Sequence, residues 1–493
     1  IVDNRKNVYV VKNIKYNVKT NEILGKDLSL SLNNNSQSNE NEPRLKGNTF
    51  IYKKNITKIN KGVFTTCKKN DDCPPWVLSS EKIEHNKIKK TLNYTNAWLK
   101  IYDIPVLYFP KFFHPDPTVK RQSGFLVPGF SQSSNLGNYI STPYFAAISE
   151  SSDFTFSPRF YDDGKSLYQS EYRKNTKRSE HIIDFSLKNK GALAFDEKDN
   201  SNSTHFFSKS RINLNLNSFD ETNLDLKIQQ TSSDDYLKTY KLKSPLIQSE
   251  NDLHSKINFN AYSEDIEIEI ATEVYENLGL STSDRYEYIY PSFSVLKNIK
   301  NFDNGKLTLN SVGLNKEFDT NVHEKTIIND LRYKSFNKIG ALGFISNYEV
   351  LIKNFNVEAE KSSTYKKNTE NSLQSIVNYE VKYPLQKVGQ QFMSTLTPIV
   401  SARYSPNESK DKSQSDRIMN LNNIFSINRI GYSDSVEGGQ SITVGNEYTL
   451  YNNNDNKEKI LSISLATSIK DTEDKNLPIN STIGKKNSDV FGN

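Results

Sequence analysis

The sequence predicts an all-β protein in two parts, a short β-solenoid or jellyroll followed by a large antiparallel β-barrel. Three observations carry this. The first hundred or so residues repeat loosely, a proline-dense stretch interrupts them, and most of the text beyond it alternates apolar and polar residues with a period of two.

In the first part, "NIKYNVKTNEI", "TFIYKKNITKI" and "EKIEHNKIKKTL" place Tyr16, Tyr52 and His85 two residues after Ile14, Phe50 and Ile83. Strand-turn-strand units of that size cannot bury an apolar face alone, so they stack on their neighbours. Ile14, Phe50 and Ile83 are therefore expected to point inward and line an apolar interior, with Lys54 and Lys87 exposed. "NNNSQSNENEP", at 33–43, is too polar to pack and reads as a solvated loop.

The junction is expected near Asp116 to Gln122, giving domains at 1–116 and 117–493. Around it stand Pro105, Pro110, Pro115, Pro117 and Pro128. Proline lacks the N–H of a ladder, so regular sheet is not expected to continue through them.

Beyond the junction, long strands are expected at "DFTFSPRF", "RINLNLNSF" (Ile212, Leu214, Leu216), "NLDLKIQ" and "EDIEIEIATEVY". The last puts Ile266, Ile268 and Ile270 on one face and Glu267 and Glu269 on the other. "YEYIYPSFSV", "KLTLNSVGL" and "ILSISLATSI" repeat the pattern, while "YDDGKS" and "FDNGKL" read as tight hairpin turns. At roughly 20 to 24 residues per strand and connection, about 16 or 17 strands follow, more than an open twisted sheet tolerates, and closure removes the edges. The last residues, "STIGKKNSDVFGN", do not read as a final strand ending on an aromatic terminus. The barrel is expected to be truncated at its C-terminal end, the protein continuing past Asn493.

Composition narrows the class. No run approaches the roughly 20 apolar residues of a membrane-spanning helix, whereas a barrel strand needs apolar side chains on its lipid face only. With 64 Lys plus Arg against 58 Asp plus Glu, signs interspersed, there is no nucleic-acid footprint. The six histidines, at 85, 114, 181, 205, 254 and 323, show no metal-ligand spacing, and no nucleophile elbow or phosphate loop occurs. No metal, cofactor or enzymatic activity is expected. Cys67 and Cys73 are the only cysteines. They suit either a local disulfide or bridges to cysteines elsewhere.

"GVFTTC", "CPPWVLSSEKIEHN", "NAWLKIYDIPVLYFPKFFHPDPTVKRQSGFLVPGF" and "NYISTPYFAAISESSDFTFSPRF" resemble, in order, the LPS-assembly protein family LptD of Gram-negative outer membranes. "LTPIVSARYSPN" and "NNIFSINRIGYSDSVEGGQSITVGNEY" resemble its later barrel region. The resemblance implies a periplasmic, OstA-like jellyroll and a barrel in the cell outer membrane. It implies lipopolysaccharide transport and insertion into the outer leaflet, acyl chains passing through the jellyroll groove and sugars through the barrel lumen. Implied partners are lipopolysaccharide, outer-membrane lipid, a plug lipoprotein like LptE and a periplasmic bridge protein like LptA. Pro128 and Pro143 match the prolines that weaken the family's first barrel strands, and so mark a lateral gate. Cys67 holds the family's "TTC" position, while Cys73 is additional and no later pair is present, which leaves open a local bridge or partners past Asn493. The competing reading is a general porin with a periplasmic extension.

Overall fold

A computed structural model describes residues 7–32, 42–67, 74–116, 119, 121–133, 136–189, 202–280, 283–365, 367, 369–453, 458–478 and 481–493. Strands dominate, all paired antiparallel, and the chain divides into two compact units: Ile1–Pro128 with Pro143–Glu150, and Gly129–Thr142 with Ser151–Asn493. The loop expected at 33–43 lies mostly outside the described residues.

The first unit is built on one seven-stranded meander in chain order: β1 (Val8–Asn17), β2 (Glu22–Ser31), β3 (Arg44–Lys53), β4 (Ile56–Thr65), β5 (Trp76–Asn86), β6 (Thr91–Ile101) and β7 (Ile104–Pro115). The expected jellyroll takes the form of this sheet folded on itself. One position in every strand drops out of the ladder, and these positions align: Lys12, Asp27, Asn48, Lys61, Glu81, Asn96 and Pro110. Asp27, Lys61 and Asn96 have φ of 55°, 49° and 52°. An unpaired residue in the left-handed region bends its strand, and three of these among seven aligned unpaired positions crease the whole sheet.

The crease also shifts the inward phase by one residue. In β4, Thr57 and Ile59 are buried before it and Gly62 and Phe64 after it; in β5, Leu78 and Ser80, then Ile83 and His85. The two leaves thereby present apolar faces to each other. Phe64 on one leaf lies 4.6 Å from the His114 ring and 6.4 Å from the Tyr94 ring on the other, centroid to centroid. Asn96 Nδ2 donates to Glu81 Oε2 at 2.6 Å, tying two crease positions together.

Two expectations are corrected here. Sheet does continue through Pro105 and Pro110, because β7 is an edge strand and needs no N–H on its free side. Lys87 is buried, not exposed, its Nζ 5.2 Å from the Tyr9 ring and 5.1 Å from the Tyr52 ring. Its long stem reaches from the β5–β6 turn into the space between the leaves.

The remaining strands begin with four short ones: β8 (Gly124–Phe125), β9 (Gly129–Ser133), β10 (Gly137–Ser141) and β11 (Tyr144–Ser149). Longer ones follow: β12 (Ser152–Tyr161), β13 (Ser166–Asn175), β14 (Ser179–Asn189), β15 (Ser203–Asn213), β16 (Glu221–Thr231), β17 (Asp252–Ser263) and β18 (Ile266–Asn277). Then come β19 (Tyr286–Phe302), β20 (Gly305–Phe318), β21 (Val322–Ser335), β22 (Lys338–Ile339), β23 (Ile345–Glu360), β24 (Glu370–Lys382) and β25 (Leu385–Val388). The last are β26 (Phe392–Ser405), β27 (Gly439–Asn452), β28 (Lys459–Lys470) and β29 (Phe491–Gly492).

β8 and β11 pair with each other in the first unit; in the second, β9, β10 and the strands from β12 on form a barrel-type meander, with registers running from β9 through β10 and β12 to β28 and β29. Among the described residues no register joins β9 to β28 or β29. Alternation sets the faces. In β26, Val400, Ala402 and Tyr404 are exposed while Ile399, Ser401, Arg403 and Ser405 are buried; β27 exposes Ile442 and Val444 and buries Ser441 and Thr443. Apolar residues out and polar residues in is the pattern of a barrel with lipid outside. The strand expected through Leu214 and Leu216 ends instead at Asn213: Asn215 has φ of 49°, and its N–H donates to the Asn213 side chain, a turn that outcompetes the alternation.

Candidate functional site

The interior of the first unit is a set of rows running across the strands. Ile14, Gly25, Phe50, Ile59, Ile83, Tyr94 and Phe112 are successive register partners from β1 to β7. The three residues singled out in the sequence thus share one row, but not one environment. Phe50 and Ile83 are sealed in the core, whereas Ile14, on the edge strand, is 49% exposed and so departs from the expected inward burial. The row on the other leaf, Tyr9 to Leu107, behaves alike: Leu30 and Leu45 are fully buried and Leu107 is 50% exposed. Centre strands have neighbours on both sides; β1 and β7 have one each, so open apolar surface is concentrated at the two edges.

One end of this interior is polar. His85 Nε2 lies 2.5 Å from Asp116 Oδ2, both buried, and His114 bridges the Tyr94 hydroxyl (2.7 Å) and the Pro115 carbonyl (2.7 Å). Burial holds the His114 ring below the ordinary histidine value, outweighing the upward pull of the Pro115 carbonyl and of Asp116. Cys67 is half-buried, its thiol 3.9 Å from the Trp76 carbonyl. Cys73, and with it the expected local bridge, lies outside the described residues.

Pro128 stands immediately before β9 and Pro143 immediately before β11, at strand entrances rather than within strands. The Pro143 carbonyl accepts from the Leu126 N–H at 2.8 Å.

The inner face of the second unit carries two inserted segments that were not read from the sequence. Residues 232–251, between β16 and β17, hold a one-turn helix, α1 (Tyr236–Tyr240). Arg159 donates to the Tyr240 carbonyl (2.7 Å) and Gln229 to the Leu246 carbonyl (2.7 Å). Beneath α1, Ser186 Oγ lies 2.7 Å from the Tyr236 hydroxyl and 2.5 Å from His205 Nδ1, with Asp184 3.4 Å from His205 Nε2. Ser186, His205 and Asp184 are all buried, and the group clamps the helix to the wall. Burial pushes the Tyr236 hydroxyl up to about 12, so it stays a proton donor.

The second segment, 406–438, joins β26 to β27 without a strand of its own. Ile427 and Val436 pack on the wall residues Leu351 and Ile376; Met419, Ile424 and Ile430 pack on Ala466 and on Leu477 and Ile483 of the next connection. Arg429 donates to both Glu437 carboxylate oxygens (2.8 and 2.5 Å) and to Ser441 (2.9 Å) and Ser468 (2.5 Å) of the wall. Glu437 also pairs with Lys470 at 2.7 Å and with Arg403 at 3.6 Å. Burial works against a charged Glu437, but the three cations prevail and hold it well below the usual carboxylate range.

Between this segment and the wall from β18 to β24 lies a polar cavity of about 1080 Å³. Its charges largely pair with one another: Lys353 with Asp330 at 2.5 Å, Arg332 with Glu349, and Lys382 with Glu380 at 3.4 Å. Glu267, from the alternating strand noted in the sequence, also lines it, with Asn310 and Asn378. Such a lining offers amides and paired ions to a hydroxyl-rich solute.

The family model described as "LptD: LPS transport system D" matches residues 188–493. The LPS-assembly protein LptD of Pseudomonas fluorescens is 36% identical over 140 residues, covering 28% of this chain and 14% of the relative. That of Pseudomonas entomophila is 29% identical over 225 residues, covering 42% and 23%. These alignments therefore span less than a quarter of the relatives' own length. A solved bacterial polysaccharide outer membrane secretin covers 54% of this chain and 83% of its own at 7% identity and a TM-score of 0.22, too loose a likeness to carry an argument.

Proposed function

Because this chain belongs to the LptD family, we propose that it moves lipopolysaccharide to the outer leaflet of the outer membrane, acyl chains passing along the first unit and sugars through the lumen of the second. One observation carries the reading: the same two-residue alternation turns its apolar face inward in the first unit and outward in the second. An amphiphile with greasy and sugar halves needs an apolar path and a polar one. The exposed ends of the inward rows, Ile14 and Leu107, favour acyl contact along the sheet edges, since Phe50 and Ile83 are already filled in by their neighbours.

The first unit is read as periplasmic and the second as membrane-spanning. β16, β26 and β28 run in the same direction, so the long connections that follow them leave from one end, which suits the cell exterior. Lateral release is assigned to the seam near Pro128 and Pro143. Each lacks an N–H where a strand begins, β9 and β10 are five residues each, and a sparsely paired seam is the cheapest place for a barrel wall to part. The free edge of β1 suits strand addition by a bridge protein like LptA, and the lumen suits a plug lipoprotein like LptE. Against a general porin stands segment 406–438, packed into the space that a porin keeps open for diffusion.

Photo-crosslinkers at Ile14 and Leu107 should capture lipopolysaccharide in cells, and crosslinkers at Lys54 should not. Equal capture at Lys54 refutes the apolar path.

A further inference from the structure

We propose that a dent in the outward face of the barrel wall, across β24, β26, β27 and β28, seats an acyl chain of lipopolysaccharide in the outer leaflet. The identity of the lipid rests on the cargo and the orientation proposed above; the dent's shape and chemistry do not.

The dent has a volume of about 660 Å³ and is built from two rungs of strand neighbours. Tyr379, Ala402, Ile442 and Ile469 are successive register partners and form one rung. Val377, Tyr404 and Gln440 form the other, which ends on Asp471, whose N–H donates to the Gln440 carbonyl at 3.4 Å. All of these residues are exposed, while Asn378, Arg403, Ser441 and Lys470, which alternate with them along the strands, are buried. The two rungs therefore share the outward, apolar face of the wall. The hollow comes from Ala402: a methyl stands where Tyr379 on one side, Ile442 on the other and Tyr404 on its own strand raise large side chains.

The chemistry selects a hydrocarbon chain with its polar end to one side. Only the rung of Tyr404 carries an amide or a charge, and these meet each other, Gln440 Nε2 donating to Asp471 Oδ2 at 3.1 Å. The two cations that line the dent, Arg403 and Lys470, are buried and pair inward with Glu437, so the outward surface offers nothing to a phosphate. The level fits as well. Ala402 lies three residues before the end of β26, about 10 Å at the rise of a strand. Tyr379 and Tyr404 supply the amphipathic rings that sit at membrane interfaces, so the rung of Tyr404 marks the headgroup level. It lies at the end assigned above to the cell exterior, where the delivered lipid is the neighbour.

The hollow is also braced from behind. Segment 406–438 holds the inner side of the same strands: Glu437 pairs with Arg403 and Lys470, Arg429 donates to Ser441, and Met419, Ile424 and Ile430 pack on Ala466. A wall fixed in this way keeps the dent open without lipid, and a preformed site spends less of its contact energy on ordering. Retention of a chain here, rather than passing contact, is the consequence.

The test uses the full protein purified from outer membranes in mild detergent, with bound lipid counted by native mass spectrometry and heat-modifiable migration as the check on folding. A402W fills the dent and should cut lipopolysaccharide retention about tenfold, the factor expected when about two methylenes lose their contact. I257W, at an exposed position on β17, should leave it unchanged. Equal retention by folded A402W and wild type overturns the seat, as does phospholipid retained in place of lipopolysaccharide. If A402W does not fold, photo-crosslinkers at Tyr404 and Ile257 decide: stronger capture of lipopolysaccharide at Tyr404 supports the seat, while equal capture, or capture of a second copy of the chain, overturns it. Retention that A402W abolishes, without capture at Ile14 or Leu107, would leave the seat standing and remove the acyl path assigned to the first unit. Capture at Ile14 and Leu107 without retention at the wall would do the reverse.

Discussion

Gly62 and Ile83 offer a direct measurement of how tightly the creased sheet is packed. Gly62 lies one residue past the crease in β4, and a methyl added there would collide with Ile83 Cδ1 and stand 2.9 Å from its Cγ1. Ile83 is fully buried, so its side chain cannot swing into solvent. Gly62→Ala alone should cost about 1 to 3 kcal/mol by overpacking. Ile83→Ala alone should cost about 2 to 5 kcal/mol through lost burial and the cavity left behind. Together the two changes compensate, because the methyl introduced at position 62 enters the space vacated by Ile83. The double variant should be more stable than Ile83→Ala alone, with a favourable coupling of roughly 1 to 3 kcal/mol. The chain has two tryptophans, Trp76 and Trp98, both in the first unit, so tryptophan fluorescence during denaturant unfolding reports on this sheet and not on the barrel. Additivity within about 0.5 kcal/mol would refute the packing argument.

The same fluorescence should show the first unit losing stability in acid. The unfolded chain takes up a proton on His114 near pH 6.5, while the buried ring resists until lower pH, so its contribution is complete above that value and lost as pH falls through the folded one. His114→Gln should flatten the slope between about pH 7 and pH 5, and an unchanged slope would exclude His114 as its source. In the barrel, Tyr236→Phe removes the hydroxyl that meets Ser186 and should loosen α1 by about 1 kcal/mol, seen as faster proteolysis within 232–251 with barrel migration unchanged.

Several features of the first unit were legible because one physical rule wrote them. The spacing that brought Ile14, Phe50 and Ile83 together reflects a real row, each standing two residues beyond a crease position. What the spacing could not convey was position within the sheet, so a half-exposed edge residue and two sealed core residues looked alike. The crease itself left a trace that alternation alone disguises: mid-strand polar doublets such as Asn60-Lys61, Glu81-Lys82 and Thr95-Asn96, where the inward phase slips by one. The edge prolines misled for a related reason. Whether a missing N–H matters depends on whether a neighbour exists to receive it, which is a property of the sheet and not of the strand.

The inserted segments of the barrel were illegible for a deeper reason. Strands announce themselves through a period because each residue's face is set locally, but segment 406–438 has no period; its order comes from where residues such as Arg403, Gln374, Ala466 and Lys470 happen to stand across the wall. Its mark in the sequence is slight: Arg429 is the one cation between Ile418 and Gly438, with Glu437 as its partner. Alternation likewise fixes that a strand has two unlike faces without saying which is inside. In β4 the apolar face closes on itself, as expected where water lies outside; in β26 and β27 the polar face turns inward, as expected where lipid lies outside. The inside of each unit therefore follows from its surroundings, which alternation along one strand cannot record.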